Sequence, residues 1–222
     1  MNQLVVKRAV RSKRITQVFG ENKACITRNS DIVSATREGT CPANTKPFYK
    51  EIGMEGHNGI DIATWTGEMV CHSGMFDGWM KTHVDRSGGI GVDVISDEPI
   101  GDSHWLLRYW HLKAPIGYDG RKVKYGQMIG LAGNSGASSG PHLHMGIKKC
   151  DKDGNSLEKG NGYYGAVDPE PYYEHDIYAA DSAIALNKPP APLTEEEKDE
   201  IRTQIPVITR VILHLREKLA RM

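Results

Sequence analysis

Neither sign of charge dominates this chain of 222 residues: Lys plus Arg and Asp plus Glu number 28 each. No global field therefore steers it towards nucleic acid or an anionic membrane surface, and neither is expected as a partner. No stretch approaches the ~20 apolar residues that a membrane-spanning helix requires, so no membrane span is expected. The opening MNQLVVKRAV has too short an apolar stretch for a signal peptide, so no targeting segment is expected there. Cysteine is sparse, with four residues, and each stands alone rather than in the CxxC pairs of structural zinc sites. The chain also has no HExxH helix and no GxxxxGK phosphate loop. GNSGASSG, at 133–140, is glycine-rich but has no lysine with which to cradle a nucleotide.

What is present is a dispersed set of metal-ligand residue types. GHNGID occupies 56–61, PHLHMGI occupies 141–147, and YWHL between them carries His111. Catalytic zinc sites use three protein ligands from histidine, cysteine and carboxylate, leaving a fourth position for water. His57, Asp61 and one histidine of the 142/144 pair supply such a set. If PHLHMGI is a strand, alternation points His142 and His144 to the same face and Leu143 to the other. His57 and Asp61 need more, because four residues of straight strand span roughly 13 Å. Gly56, Asn58 and Gly59 tolerate the positive backbone angles of a tight turn, which predicts His57 on a turn and Asp61 at the start of a strand. Each piece has a plainer alternative: two half-exposed strand histidines, a hydrogen-bonded core histidine at 111, a turn aspartate at 61. The residues alone do not decide whether His142 or His144 takes the metal.

Most of the chain reads as short strands separated by glycine turns: VKRAV, KRITQVF, DIATW, EMVCHSG, a hairpin of GIGVDVISD with HWLLRYWHL, then QMIGLAG and HLHMGIKK. The expected class is mainly β, an antiparallel sheet with a C-terminal helical extension. Residues 1–13 are expected as an N-terminal extension, 14–175 as the main domain with an insertion at about 22–46, 176–193 as a linker containing KPPAPL, and 194–222 as an amphipathic helical segment. In the last, Thr194 and Glu197 fit a capping box, Pro206 is a kink, and Ile201, Ile205, Ile208, Val211, Ile212, Leu215 and Leu219 form one apolar stripe. Such a stripe packs on its own domain, self-associates or attaches the chain to another protein. Cys25 and Cys41 bracket the polar inserted stretch, where a disulfide would be physically sensible. Cys71 and Cys150 fall in strands as buried thiols. Lys7, Arg8, Arg11, Lys13 and Arg14 form a local basic run, either a solvated face or a contact for an acidic partner.

Taken in order, ITQVFGEN, GHNGIDIA, GEMV, RYWHL, VKYGQMIGLAGNSGASSGPHLHMGI and VDP, over roughly residues 14 to 170, resemble the M23 metallopeptidases, the lysostaphin-like or LytM-like peptidoglycan endopeptidases. The resemblance implies a β-rich domain with a groove over the sheet and one Zn2+ per chain. It matches His57, Asp61 and His144 to the zinc ligands, and His111 and His142 to the two catalytic histidines; Tyr109 stands where the family often has a tyrosine, with no role assigned. The implied activity is zinc-dependent endopeptidase action on peptide stems or cross-bridges of bacterial peptidoglycan. ITQVFGEN and FYKEIGMEGHNGIDIA are similar to phage- or prophage-encoded members, which implies a lysin carried by a virion or released on host lysis. The rival classes are a non-catalytic LytM-like structural or regulatory module and a phage particle assembly component attached through the C-terminal helix.

Overall fold

The computed structural model describes residues 3–37, 39–85 and 88–185. The expected C-terminal helical segment at 194–222, with its apolar stripe, lies outside the described residues.

The chain enters through β1 (Val6–Arg8) and β2 (Ile15–Gln17), then forms a small antiparallel insert of β3 (Ala24–Thr27), β4 (Ile32–Ser34) and β5 (Thr45–Pro47), capped by α1 (Phe48–Glu51). The main strands follow as β6 (Ile60–Ala63), β7 (Met69–Cys71), β8 (Gly78–Asp85), β9 (Gly89–Ser96), β10 (His104–Pro115), β11 (Lys122–Val123), β12 (Met128–Ala132) and β13 (His142–Cys150). β14 (Ala166–Val167), β15 (Tyr173–Tyr178) and α2 (Ala179–Ala185) close the described part. The large sheet runs in the order β11-β8-β9-β10-β13-β6-β2, with its pairs antiparallel, as the alternating patterns predicted.

Alternation divides this sheet into two chemistries. On β13, Leu143, Met145 and Ile147 enter the core, where they meet Leu107 and Tyr109 of β10, Val92 and Val94 of β9, and Ile60 and Ile62 of β6. The intervening His142, His144, Gly146 and Lys148 belong to the opposite face, as do Asp61 of β6 and Arg108 of β10. A one-residue slip of either strand would exchange the faces, so core burial fixes the register that assembles the polar side.

β10 carries the one irregularity that matters for this face. Its pairing with β9 runs in register as far as Tyr109 opposite Val92 and resumes at Leu112 opposite Ile90, and His111 has φ +61°. In an unbroken strand His111 would follow Tyr109 into the core. The bulge turns it to the polar face instead, at the cost of a left-handed backbone that disfavours any residue with a Cβ.

Three features depart from the sequence reading. The insertion, read only as a polar stretch, is a three-stranded sheet; its strands are three or four residues long and mostly half-exposed, which leaves almost no periodic signal. Cys25 and Cys41 are bonded across it, with Cα atoms 5.7 Å apart, while Cys71 and Cys150 are buried free thiols. After Val167, where the sequence shows no strand pattern of the kind read upstream, the chain forms β15 and α2, with β15 parallel to β1. The basic run of the N-terminus is consumed there. Lys7 pairs with Glu174 and Lys13 with Asp176, Arg11 reaches Asp181, and the Arg8 guanidinium donates to the carbonyls of Val10 and Arg11. Among the described residues no helix is long and apolar enough to cross a membrane.

Candidate metal centre

Asp61 and His144 are direct cross-strand partners on β6 and β13. Their side chains leave the same face, and His144 Nδ1 lies 3.1 Å from Asp61 Oδ1. His57, on the irregular segment before β6, brings Nε2 to within 2.8 Å of His144 Nδ1 and 3.0 Å of Asp61 Oδ1. Zinc bonds of about 2.0–2.1 Å at tetrahedral angles separate neighbouring donor atoms by roughly 3.3 Å, so the three atoms already stand close to the spacing one ion would impose. His57, Asp61 and His144 are all buried and could hold a metal ion together. Of the two histidines left open by the sequence, His144 is the one whose ring nitrogen joins His57 and Asp61 in this group.

The bend at 56–59 works differently from the expected left-handed turn, since neither glycine nor Asn58 has a positive φ. The glycines are there for proximity. A Cβ on Gly59 would stand 2.4 Å from the Met145 carbonyl oxygen and 2.8 Å from His144 Cε1, and one on Gly56 would stand 2.3 Å from the Gly20 carbonyl oxygen. The segment must lie flat against β13 for His57 to reach the carboxylate.

Ring orientation is set from outside the trio. His57 Nδ1–H donates to the Val18 carbonyl at 3.1 Å, which leaves Nε2 as a lone pair towards Asp61 and His144. Burial alone would raise the Asp61 pKa, but the surrounding His57, His144 and His142 outweigh it and hold the carboxyl well below its usual range. Burial pushes His144 down to about 4 despite its hydrogen bond to Asp61. Asp61 is thus held as a carboxylate and His144 as a neutral imidazole, the protonation states a cation needs of them.

His111 and His142 flank this trio. Their rings are 4.5 Å apart between centroids, and His111 is 6.0 Å from the His144 ring. The glycine-rich loop read as a site wall also aims both of them: His111 Nδ1–H donates to the Ser135 carbonyl at 2.7 Å, and His142 Nδ1–H to the Gly140 carbonyl at 2.8 Å. Each therefore keeps Nε2 as the nitrogen available for chemistry, and His142 Nε2 stands 3.5 Å from Asp61 Oδ2. Burial, helped by repulsion from His142 and His144, pushes His111 down to about 3, so it is a neutral base at pH 7. Tyr109 takes no part; its ring is in the core and its hydroxyl bonds Ser73 and His72.

All five residues line one groove of about 980 Å3, walled on one side by Ala137 and Ser138 and on the other by the insert and α1 through Ile32, Val33 and Tyr49. Sequence reasoning missed Tyr49, whose ring lies 5.7 Å from His57 and whose hydroxyl accepts from Gln17 Nε2 at 3.0 Å. It missed Arg108 as well. Arg108 grips Asp93 with two bonds of 2.9 and 2.7 Å and stacks 4.4 Å from Trp110; the alternation in RYWHL, which sets Arg108 and Trp110 on the face opposite Tyr109, was the available signal.

Fold and site together define a mainly β domain with a two-histidine, one-carboxylate group that could hold a metal ion in an open groove, and two further histidines beside it. Residues 55–159 match Peptidase family M23, and the chain carries a domain of that family. Among curated proteins it is 35% identical over 103 residues to the peptidoglycan DD-endopeptidase ShyA of Vibrio cholerae serotype O1, covering 46% of this chain and 22% of that protein. It is 38% identical over 112 residues to ShyB of the same organism, covering 50% and 25%. The chain thus spans about a quarter of the length of these relatives or less. Among solved structures, the catalytic domain of the antimicrobial peptidase lysostaphin from Staphylococcus simulans aligns with TM-score 0.44 at 28% identity, covering 53% of this chain and 79% of that one.

Proposed function

We propose that the chain is a zinc-dependent endopeptidase that hydrolyses peptide bonds in the stems or cross-bridges of bacterial peptidoglycan. The observation that carries this reading is the convergence of His57 Nε2, Asp61 Oδ1 and His144 Nδ1 within 3.1 Å of one another, with two outward-facing imidazoles alongside. The donor set of two nitrogens and one oxygen suits zinc and leaves a position open to the groove. When bound, zinc supplies a Lewis acid that polarises a peptide carbonyl and lowers the pKa of water to about 7.

The chain's own residues do the rest. The groove takes an extended peptide across the polar face of β13. The Nε2 atoms of His111 and His142 stand on the same side of that peptide, within reach of the attacking water and of the bond being broken. One accepts the attacking water's proton on Nε2, and that same proton then passes to the departing amine, directly or through the second imidazole. Their fixed Nδ1–H bonds to Ser135 and Gly140 hold the rings while this happens.

Peptidoglycan as substrate is supported by the named activity of both curated relatives. Delivery by a phage particle or on host lysis extends the same proposal and rests on the ITQVFGEN and FYKEIGMEGHNGIDIA segments. The deciding experiment is mass spectrometry of soluble fragments released from purified sacculi by the zinc-loaded protein, with His111→Ala as background. Fragments unique to the unmutated protein carry the reading and name the bond; no release from sacculi of several cross-link chemistries ends it in favour of a structural or binding module.

A further inference from the structure

A second cavity of about 320 Å3 opens on the polar sheet face beyond the metal centre, bounded by Lys81, His83, Arg108, Lys148 and Lys159. Arg108 and Tyr164 line both it and the main groove, so the two are neighbours along one surface. His144 and Lys148 share β13 and its polar side, four residues apart, which places them roughly 13 Å from each other along the strand. An extended peptide crossing the metal centre in that direction reaches Lys148 about four residues from the metal.

The cavity is cationic by construction. Lys81, Arg108, Lys148 and Lys159 face a single carboxylate, Asp93. That carboxylate is already committed, to the bidentate Arg108 and to His83 Nε2 at 3.1 Å. Lys148 is only 6% exposed, yet its ammonium donates to a neutral acceptor, the Tyr164 carbonyl, at 2.7 Å, and no carboxylate pairs with it among the described residues. Burial and the nearby Arg108 push the Lys148 pKa down to about 8, outweighing Asp93, which favours the ammonium through space, so the cation is poorly compensated, and a neutral donor could tether the same carbonyl. The buried hydroxyl oxygen of Ser156, on the same cavity wall, has no hydrogen-bond partner among the described residues. A buried cation and an unused hydroxyl around one hollow match an anion with two acceptor oxygens.

We propose that this cavity is a carboxylate-binding subsite in which Lys148, with Lys81 and Lys159 at its rim, receives a free carboxylate of the peptide substrate about four residues from the cleaved bond. The inference rests on the endopeptidase reading and narrows it. Peptide stems carry free carboxylates, whereas glycine cross-bridges have no charged side groups, so the subsite selects carboxylate-bearing stems.

The test uses two synthetic cross-linked stem peptides that differ only in carboxylate against carboxamide, titrated calorimetrically into the full-length, zinc-loaded His111→Ala chain. A charge-assisted contact predicts that the acid binds about tenfold more tightly than the amide. Adding Lys148→Met should bring the acid-to-amide ratio close to one, and Lys159→Gln, at an exposed position, should lower it by about twofold while raising no question of folding. Equal affinity for the two peptides, or a ratio indifferent to both substitutions, overturns the subsite. Cleavage of the same peptides by the unmutated chain judges the endopeptidase reading separately, since a missing activity leaves the binding ratio readable.

Discussion

Asp61 and His144 face each other across two antiparallel strands, Oδ1 to Nδ1 at 3.1 Å, and every other part of the site is arranged around that pair. His57 arrives from an irregular segment, while His111 and His142 are held by a loop. Strands thus carry Asp61, His144, His111 and His142 alike, and the 133–140 loop orients the last two through its carbonyls.

Removing one histidine from each group should separate metal binding from chemistry. His144→Ala withdraws one of three ligands and should lower zinc affinity by more than about 100-fold, leaving the dialysed protein metal-free by atomic emission. His111→Ala leaves all three ligands in place, so zinc should stay near one per chain while hydrolysis falls by about 10²- to 10⁴-fold. A metal-free His111→Ala or a fully active His144→Ala would break the assignment.

Gly59 should be nearly as critical as a ligand, although it offers no donor atom. Gly59→Ala drives a methyl group against the Met145 carbonyl and the His144 ring, at 2.4 and 2.8 Å. Both are fixed by strand pairing, so the 56–59 segment must lift and carry His57 with it. We expect zinc affinity to drop by about 10- to 100-fold, as for lost supporting contacts around a metal, with about 1–3 kcal/mol of destabilisation from overpacking. Competition titration with a chelator measures the first and urea unfolding the second.

The Cys25–Cys41 bridge should govern one groove wall without touching the metal. It closes a loop with a sequence separation of 16 residues, worth about 3 kcal/mol against the unfolded insert. The bridged protein should weigh two hydrogens less than its reduced form. Reduction should speed amide exchange through 24–47 and raise KM for peptide, because Ile32 and Val33 of the insert line the groove. Zinc content should be unchanged, since none of the three ligands lies in the insert. Identical exchange before and after reduction would show that the insert's own packing suffices.

Much of this architecture was legible because β strands advertise themselves by alternation. PHLHMGI divides into a core side and a polar, histidine-bearing side from its sequence alone, and the spacing of His57 and Asp61 requires a bend. What alternation hid was its own exception. His111 follows Tyr109 at an interval that assigns it to the core, and only the bulge, with its φ of +61°, delivers it to the groove. The glycines of GHNGID were noticed for the wrong property, because backbone freedom is visible in a residue type whereas close approach depends on Met145 and Gly20, which are distant in sequence. Arg108, Asp93 and Lys148 escaped notice since their meaning comes from three strands lying side by side. The basic N-terminus similarly looked free until β15 and α2 supplied its acidic partners.

His72 makes the fold acid-sensitive independently of the metal. It is fully buried; its Nε2–H donates to the Phe76 carbonyl at 3.0 Å, and its Nδ1 accepts from the Tyr109 hydroxyl at 3.2 Å. Both nitrogens are therefore used by the neutral ring, and burial pushes the pKa from 6.5 down to about 4. Between those values the unfolded chain binds a proton that the folded chain refuses. This contribution to stability is thus fully present above about pH 6.5 and declines as pH falls towards 4, by about 3 kcal/mol in total. His72→Gln keeps a donor and an acceptor but cannot titrate, so it should remove this part of the acid slope. Urea unfolding of both proteins, stripped of metal, at pH 7.5 and 4.5 measures the difference, with the carboxylates common to both cancelling. Parallel pH dependences would mean that His72 is already relieved of its burial in the folded state, and the hydrogen-bonded core around Tyr109 would have to be looser than its distances indicate.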